Sequence, residues 1–158
     1  MDDRPATPEE VDAVRSVIDG WAAGELRTNP LLRHVEWIAD DQRWLVRLEG
    51  EDKAIITVWL TLRQRTLHHE AQFMPAPEAN VAETLAYLMR SNANLYGMWF
   101  ALGPEDAVYL VGKVPAALID DDELDRIAGS SVLYVDDHFP TAMTLAYPTM
   151  YHRRPRRS

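Results

Sequence analysis

The stretch Asn94–Pro115, NLYGMWFALGPEDAVYLVGKVP, decides how this chain is read. Two apolar runs flank the turn Gly103-Pro104-Glu105-Asp106, the pattern of a β-hairpin. Successive side chains point to opposite faces of a strand, so Met98, Phe100 and Leu102 share one face and Trp99 and Ala101 the other. In the second strand Val108 and Leu110 oppose Tyr109 and Val111. Both faces are apolar. One can be covered by helices; the other needs a cover of its own or a partner.

Working back from the hairpin, the same period of two recurs over residues 25–78. Leu67, His69, Ala71 and Phe73 alternate with His68, Glu70 and Gln72. Ile56, Val58, Leu60 and Leu62 alternate with Thr57, Trp59, Thr61 and Arg63, and Trp44, Val46 and Leu48 with Arg47 and Glu49. Polar breaks at Gly50-Glu51-Asp52 and Arg63-Gln64-Arg65 suit hairpins, which predicts an antiparallel meander. A weaker strand is expected in His34–Ala39.

Three segments carry helical signals. Thr7, Pro8 and Glu10 form a capping box with proline at the first helical position. Val11, Val14, Ile18 and Trp21 follow at helical spacing, and Gly24 is the expected stop. Asn80 with Glu83 predicts a second cap, ahead of Val81, Leu85, Leu88 and Met89. Asp120 with Glu123 predicts a third, opening a long helix with Leu124, Ile127, Ala128, Val135, Phe139 and Met143. The expected fold is therefore α+β: an antiparallel sheet of five to six strands with three helices packed on one face. The element order is α-β-β-β-(β)-α-β-β-α.

The wording of the second half adds a resemblance. WLVRLEG, TLHHEAQFMP, YLMRSNANLYGMWFALGPEDAVYLVGKVP and DELDRIAGSSVLYVDDHF resemble the YbjN-like family of bacterial sensory transduction regulators. The likeness runs from about Trp44 to Phe139 and is strongest over Asn92–Leu133. It implies a fold like that of the type III secretion chaperones, a curved antiparallel sheet with helices on one face. These motifs are strand cores, a hairpin and a helix cap, so they imply a fold and not an active site.

Length and composition bound the rest. At 158 residues, with 47% hydrophobic and 26% charged residues, the chain suits one globular domain, expected over 1–150. Residues 1–6 are expected to be disordered. No apolar run approaches the roughly 18–20 residues of a membrane span, and Met1-Asp2-Asp3 is not the basic start of a signal peptide. With no cysteine, disulfides and thiolate chemistry are excluded, and a cytoplasmic location is the expectation. The net charge is −9, and four arginines fall in the last eight residues, so the body carries −13. An acidic body repels phosphate backbones, which argues against nucleic acid as a partner. Residues 151–158 are expected to form a flexible Arg-rich tail.

No residue set announces a reaction. His68 and His69 are neighbours in a strand and face opposite ways, so they cannot converge on one ion; a packed His69 and a solvated His68 are expected. Asp136, Asp137 and His138 fan around a helix and are expected to be solvated. Asp120–Asp125, DDDELD, lacks the spread and central glycine of a calcium loop and reads as capping. No nucleophile elbow or phosphate loop appears. No catalytic residue, metal or cofactor is therefore assigned.

The second sheet face remains. If helices cover Ile56, Val58, Leu60, Phe100, Leu102, Val108 and Leu110, the opposite face presents Thr57, Trp59, Trp99, Tyr109 and Val111. Such an aromatic surface exceeds what monomers usually expose and matches interface cores. Trp59, Trp99, Tyr109 and Val111 are thus the expected partner-binding residues. The alternative cover is the segment PLLRHVEW folded over that face. The expected function is a non-enzymatic protein-binding module, a chaperone-like or regulatory adaptor forming a homodimer. A partner segment would dock on the aromatic face or against a free strand edge. The alternative is a sensory domain with a small-ligand pocket between sheet and helices.

Overall fold

The computed structural model describes residues 5–155. Helix α1 (Pro8–Thr28) leads into strands β1 (Leu32–Ile38), β2 (Arg43–Glu49), β3 (Ile55–Leu62) and β4 (Thr66–Met74). Helix α2 (Val81–Asn92), the hairpin of β5 (Trp99–Leu102) and β6 (Val108–Pro115), and helix α3 (Asp121–Ala146) complete the order. The six strands form one sheet, ordered β1-β2-β3-β4-β6-β5, and every neighbouring pair is antiparallel. The hairpin therefore inserts its second strand beside β4 and leaves β5 at the edge.

The helices lie on one face. Helix α3 packs on β2, β3 and β4, α1 on β1 and α3, and α2 on β5 and α3. Between them Trp44, Ile56, Leu67, Phe73 and Leu110 of the sheet meet Ile18, Leu124, Ile127 and Val135 of the helices, all at most 2% exposed. Full burial of each such aliphatic or aromatic side chain contributes roughly 1.5–3 kcal/mol, which is what holds this layer. The close packing fixes where only glycine fits. A Cβ on Gly112 would lie 2.4 Å from the His69 ring and 2.6 Å from the Gly97 carbonyl, so the β6 backbone must pass bare beneath that ring.

Local signals account for two helix starts. Thr7 accepts from the Glu10 amide while the Glu10 carboxylate takes the Thr7 amide, the reciprocal capping box. Asp120 accepts from the Glu123 amide at 2.8 Å. The second expected cap fails. Asn80 adopts a left-handed conformation (φ 50°) and makes no cap bond; its amide instead donates to the Leu145 carbonyl at 2.8 Å. Helix α1 runs past Gly24 to Thr28, because Glu25, Leu26 and Arg27 are good helix formers and Gly24 meets no obstacle.

Four further expectations are corrected by packing. Ala6 is buried, its amide donating to Gln42 Oε1 at 3.3 Å, while Met1–Arg4 lie outside the described residues. The segment PLLRHVEW does not fold over the sheet; it supplies β1 and pairs edge-on with β2. Asp136 is not a solvated carboxylate, since it accepts from the backbone amides of Glu51, Asp52 and Lys53 at 2.8–3.1 Å and so caps the β2–β3 turn. His138 bonds the Tyr87 hydroxyl at 2.9 Å and stands edge-on to Phe100.

Tyr151 and Arg153, both within the segment 151–158 expected to be a flexible tail, are held against the domain. The Tyr151 ring packs edge-on against Phe139 at 5.7 Å. Arg153 grips the buried Asp52 carboxylate, with Nε at 2.9 Å and Nη2 at 3.3 Å. Arg156–Ser158 lie outside the described residues.

Candidate functional site: the open sheet face

The strand register sets the face opposite the helices. One row runs across the whole sheet: Glu36, Leu45, Trp59, Glu70, Val111 and Trp99 are successive cross-strand neighbours. A second row joins Ile38, Arg43, Thr61, His68 and Lys113. On the other flank Tyr109 stands between Gln72 and Ala101.

Three of the four expected site residues come together. Trp99 and Val111 are directly paired, and Tyr109 lies one step along β6 on the same face. They line a shallow hollow of about 300 Å³ with Ala101, His68 and Lys113. Trp99 is 43% exposed, while Tyr109 and Val111 are half-buried. The Tyr109 ring lies over Gly103, where a Cβ would come within 2.4 Å of it, so the hairpin turn fixes the ring's position.

Trp59 stands apart. It is three strands from Trp99, roughly 14 Å at the usual strand spacing, with Glu70 and Val111 between them. The Arg43 guanidinium sits 3.9 Å above its ring, a stacked cation–π contact worth roughly 0.5–2 kcal/mol. Arg43 in turn reaches Asp41 at 3.6 Å. Beside this pair is a polar hollow of about 650 Å³, bordered by Asp40, Arg43, Thr61, Arg63, His68 and Glu70. His68 and Glu70 thus form a polar ridge between an apolar hollow on β5–β6 and a charged one on β2–β3. The face is not the continuous aromatic sheet that alternation alone implies.

Sequence reasoning did not reach Asn92, at the end of α2. Its carboxamide accepts from the Phe100 amide at 2.6 Å and donates to the Phe100 carbonyl at 3.2 Å. One side chain therefore occupies both backbone groups at the centre of β5, as an added strand would. A sheet edge blocked in this way resists pairing with another chain.

Two histidines are shifted by burial on the helix-covered side. His69 is 1% exposed, and neither ring nitrogen finds a hydrogen-bond partner. Burial, reinforced by the Arg126 guanidinium, lowers its pKa to about 4, so the ring is neutral near pH 7. Burial also lowers His138. Among the described residues no group of three or more His, Asp or Glu side chains is placed to hold a metal ion, and no helix is long and apolar enough to cross a membrane.

A one-layer antiparallel sheet, helices on one side and an aromatic–polar surface on the other, defines the class as an α+β domain with an open sheet face. The chain belongs to the YbjN family, whose description is "Putative bacterial sensory transduction regulator" and whose model matches residues 31–142. Uncharacterized proteins of Mycobacterium tuberculosis and Mycobacterium bovis are each 30% identical to it over 109 residues, 69% of this chain and 60% of theirs. One from Mycobacterium leprae is 29% identical over 105 residues, 66% of this chain and 57% of its own. The matches thus span about 60% of the length of these relatives.

Proposed function

We propose that this chain is a non-enzymatic protein-binding module, a cytoplasmic regulatory adaptor that docks a protein partner, or a second copy of itself, on the open sheet face. The observation that carries the reading is the Trp99–Val111–Tyr109 hollow, apolar and accessible on the side that no helix covers. Docking on the face is favoured over strand addition at β5, because Asn92 already satisfies the Phe100 backbone. The interior between sheet and helices is filled by Trp44, Phe73, Ile127 and Val135, which favours this surface over a buried ligand pocket.

Trp99→Ala is the test. An exposed aromatic anchor at an interface costs roughly 2 kcal/mol or more of association when truncated. Because Trp99 is 43% exposed, folding should change much less. Sedimentation velocity and capture of partners from the native host, beside thermal melting, read the two effects separately. A folded Trp99→Ala protein that self-associates and captures partners as wild type does would reject the proposal.

A further inference from the structure

A second surface lies on the helix side, away from the open face. Helices α1 and α3 and the β2–β3 turn enclose an open groove of about 640 Å³. Its apolar lining includes Trp21, Leu31, Leu48, Val132 and Leu133. Leu31 is 43% and Leu133 55% exposed, so both present apolar surface at the groove. Gly129, also in the lining, leaves open space where a side chain would stand on α3.

The polar lining is almost wholly anionic. Among the described residues, Glu25, Glu51, Asp52, Asp125, Asp136 and Asp137 supply the carboxylates and Arg153 the guanidinium. Some of these have structural duties: Asp125 accepts from the Trp21 indole at 2.8 Å and Asp136 caps the turn. One already recognises a cation. Asp52, 3% exposed, takes Arg153 through two hydrogen bonds, and the next residue, Arg154, donates to the Glu51 carbonyl at 3.0 Å. Two-point guanidinium–carboxylate contacts of this kind are both strong and geometrically selective.

We propose that this groove docks a cationic amphipathic protein segment, with arginines or lysines on the acidic walls and apolar residues on the leucine-lined floor. The chain's own Arg153 occupies one end as a built-in competitor, with Arg154 anchoring the segment on the Glu51 carbonyl. Charge complementarity chooses the occupant: among the described residues the lining holds more carboxylates than guanidinium groups, so it repels an acidic segment or a nucleic acid and attracts a basic one. The exposed leucines add what a purely electrostatic contact would lack. The tail makes affinity conditional, since apparent binding falls by the fraction of molecules whose groove is occupied.

The experiment titrates a labelled peptide, with arginine and leucine on opposite helical faces, into the full chain and follows its anisotropy. Controls are the same peptide with glutamate for arginine, and with alanine for leucine. Wild type should bind the arginine–leucine peptide and neither control comparably. Arg153→Gln with Arg154→Gln should tighten binding roughly tenfold by freeing the acidic end, and Leu133→Lys, at an exposed position, should weaken it by about as much. A synthetic His152–Ser158 peptide added to wild type should compete, which tests the tail even if the double variant folds poorly. Equal binding of the glutamate peptide, indifference to Leu133→Lys, or no competition by the tail peptide would each overturn the proposal.

Discussion

His69 makes the acid stability of this protein a test of the packing around it. The imidazole is buried between α3 and the bare Gly112 backbone, without a hydrogen-bond partner, and its pKa is lowered to about 4. In the unfolded chain it titrates at its ordinary value of about 6.5. Between about pH 4 and that value the unfolded chain binds up to one more proton than the native state, so stability falls as pH falls through this window. The neutral ring's contribution is complete above about pH 6.5, erodes on the way down to about pH 4, and is exhausted below that. The gap of about 2.5 pH units corresponds to about 3 kcal/mol in total, and to about 2.5 kcal/mol at about pH 4.5. His69→Leu removes the titrating group without breaking any hydrogen bond. At neutral pH the variant should lie within about 1 kcal/mol of wild type. Near pH 4.5 it should be the more stable by about 2 kcal/mol. Urea unfolding of both proteins across this range measures the difference, and the carboxylates common to both cancel in it. Parallel stability–pH curves would refute the assignment of a neutral, unpartnered His69.

Two other perturbations follow from the contacts made by α3 and the C-terminal segment. Asp136→Ala strands three backbone amides of the β2–β3 turn and should cost about 2–3 kcal/mol in chemical denaturation, with Asp136→Asn recovering part of it; a loss below about 0.5 kcal/mol would show that the turn holds itself. Truncation after Met150 removes the Tyr151–Phe139 contact and the partner of Asp52, so the loss should exceed the roughly 0.5 kcal/mol of an ordinary surface change; an unchanged melt would restore the flexible-tail expectation.

The periodicities carried the fold a long way. Alternation in Ile56–Leu62, Leu67–Phe73 and Val108–Val111 identified strands and the face each residue takes, because a strand reverses its side chains at every step whatever its neighbours are. The Thr7–Glu10 and Asp120–Glu123 caps were equally legible, since their bonds close within four residues. Asn80 shows the limit of that logic. It has the right residue type at the right offset, but the left-handed backbone at that position turns its amide to Leu145, 65 positions away.

Strand order, by contrast, was not written in any local pattern. Alternation places Trp59 and Trp99 on one face; only the β4–β6 pairing puts Glu70 and Val111 between them and divides the expected aromatic surface in two. Nor did sequence mark Asn92 as the guard of β5, Asp136 as the acceptor for a turn more than eighty positions earlier, or Asp52 as the seat of Arg153. The physical reason is common to all of these. The sequence by itself determined what each backbone segment does with its near neighbours, and hence the element types and faces. Which buried donor meets which distant acceptor is settled only when the helices close over the sheet, because the cost of leaving a polar group unpaired arises only once water is gone.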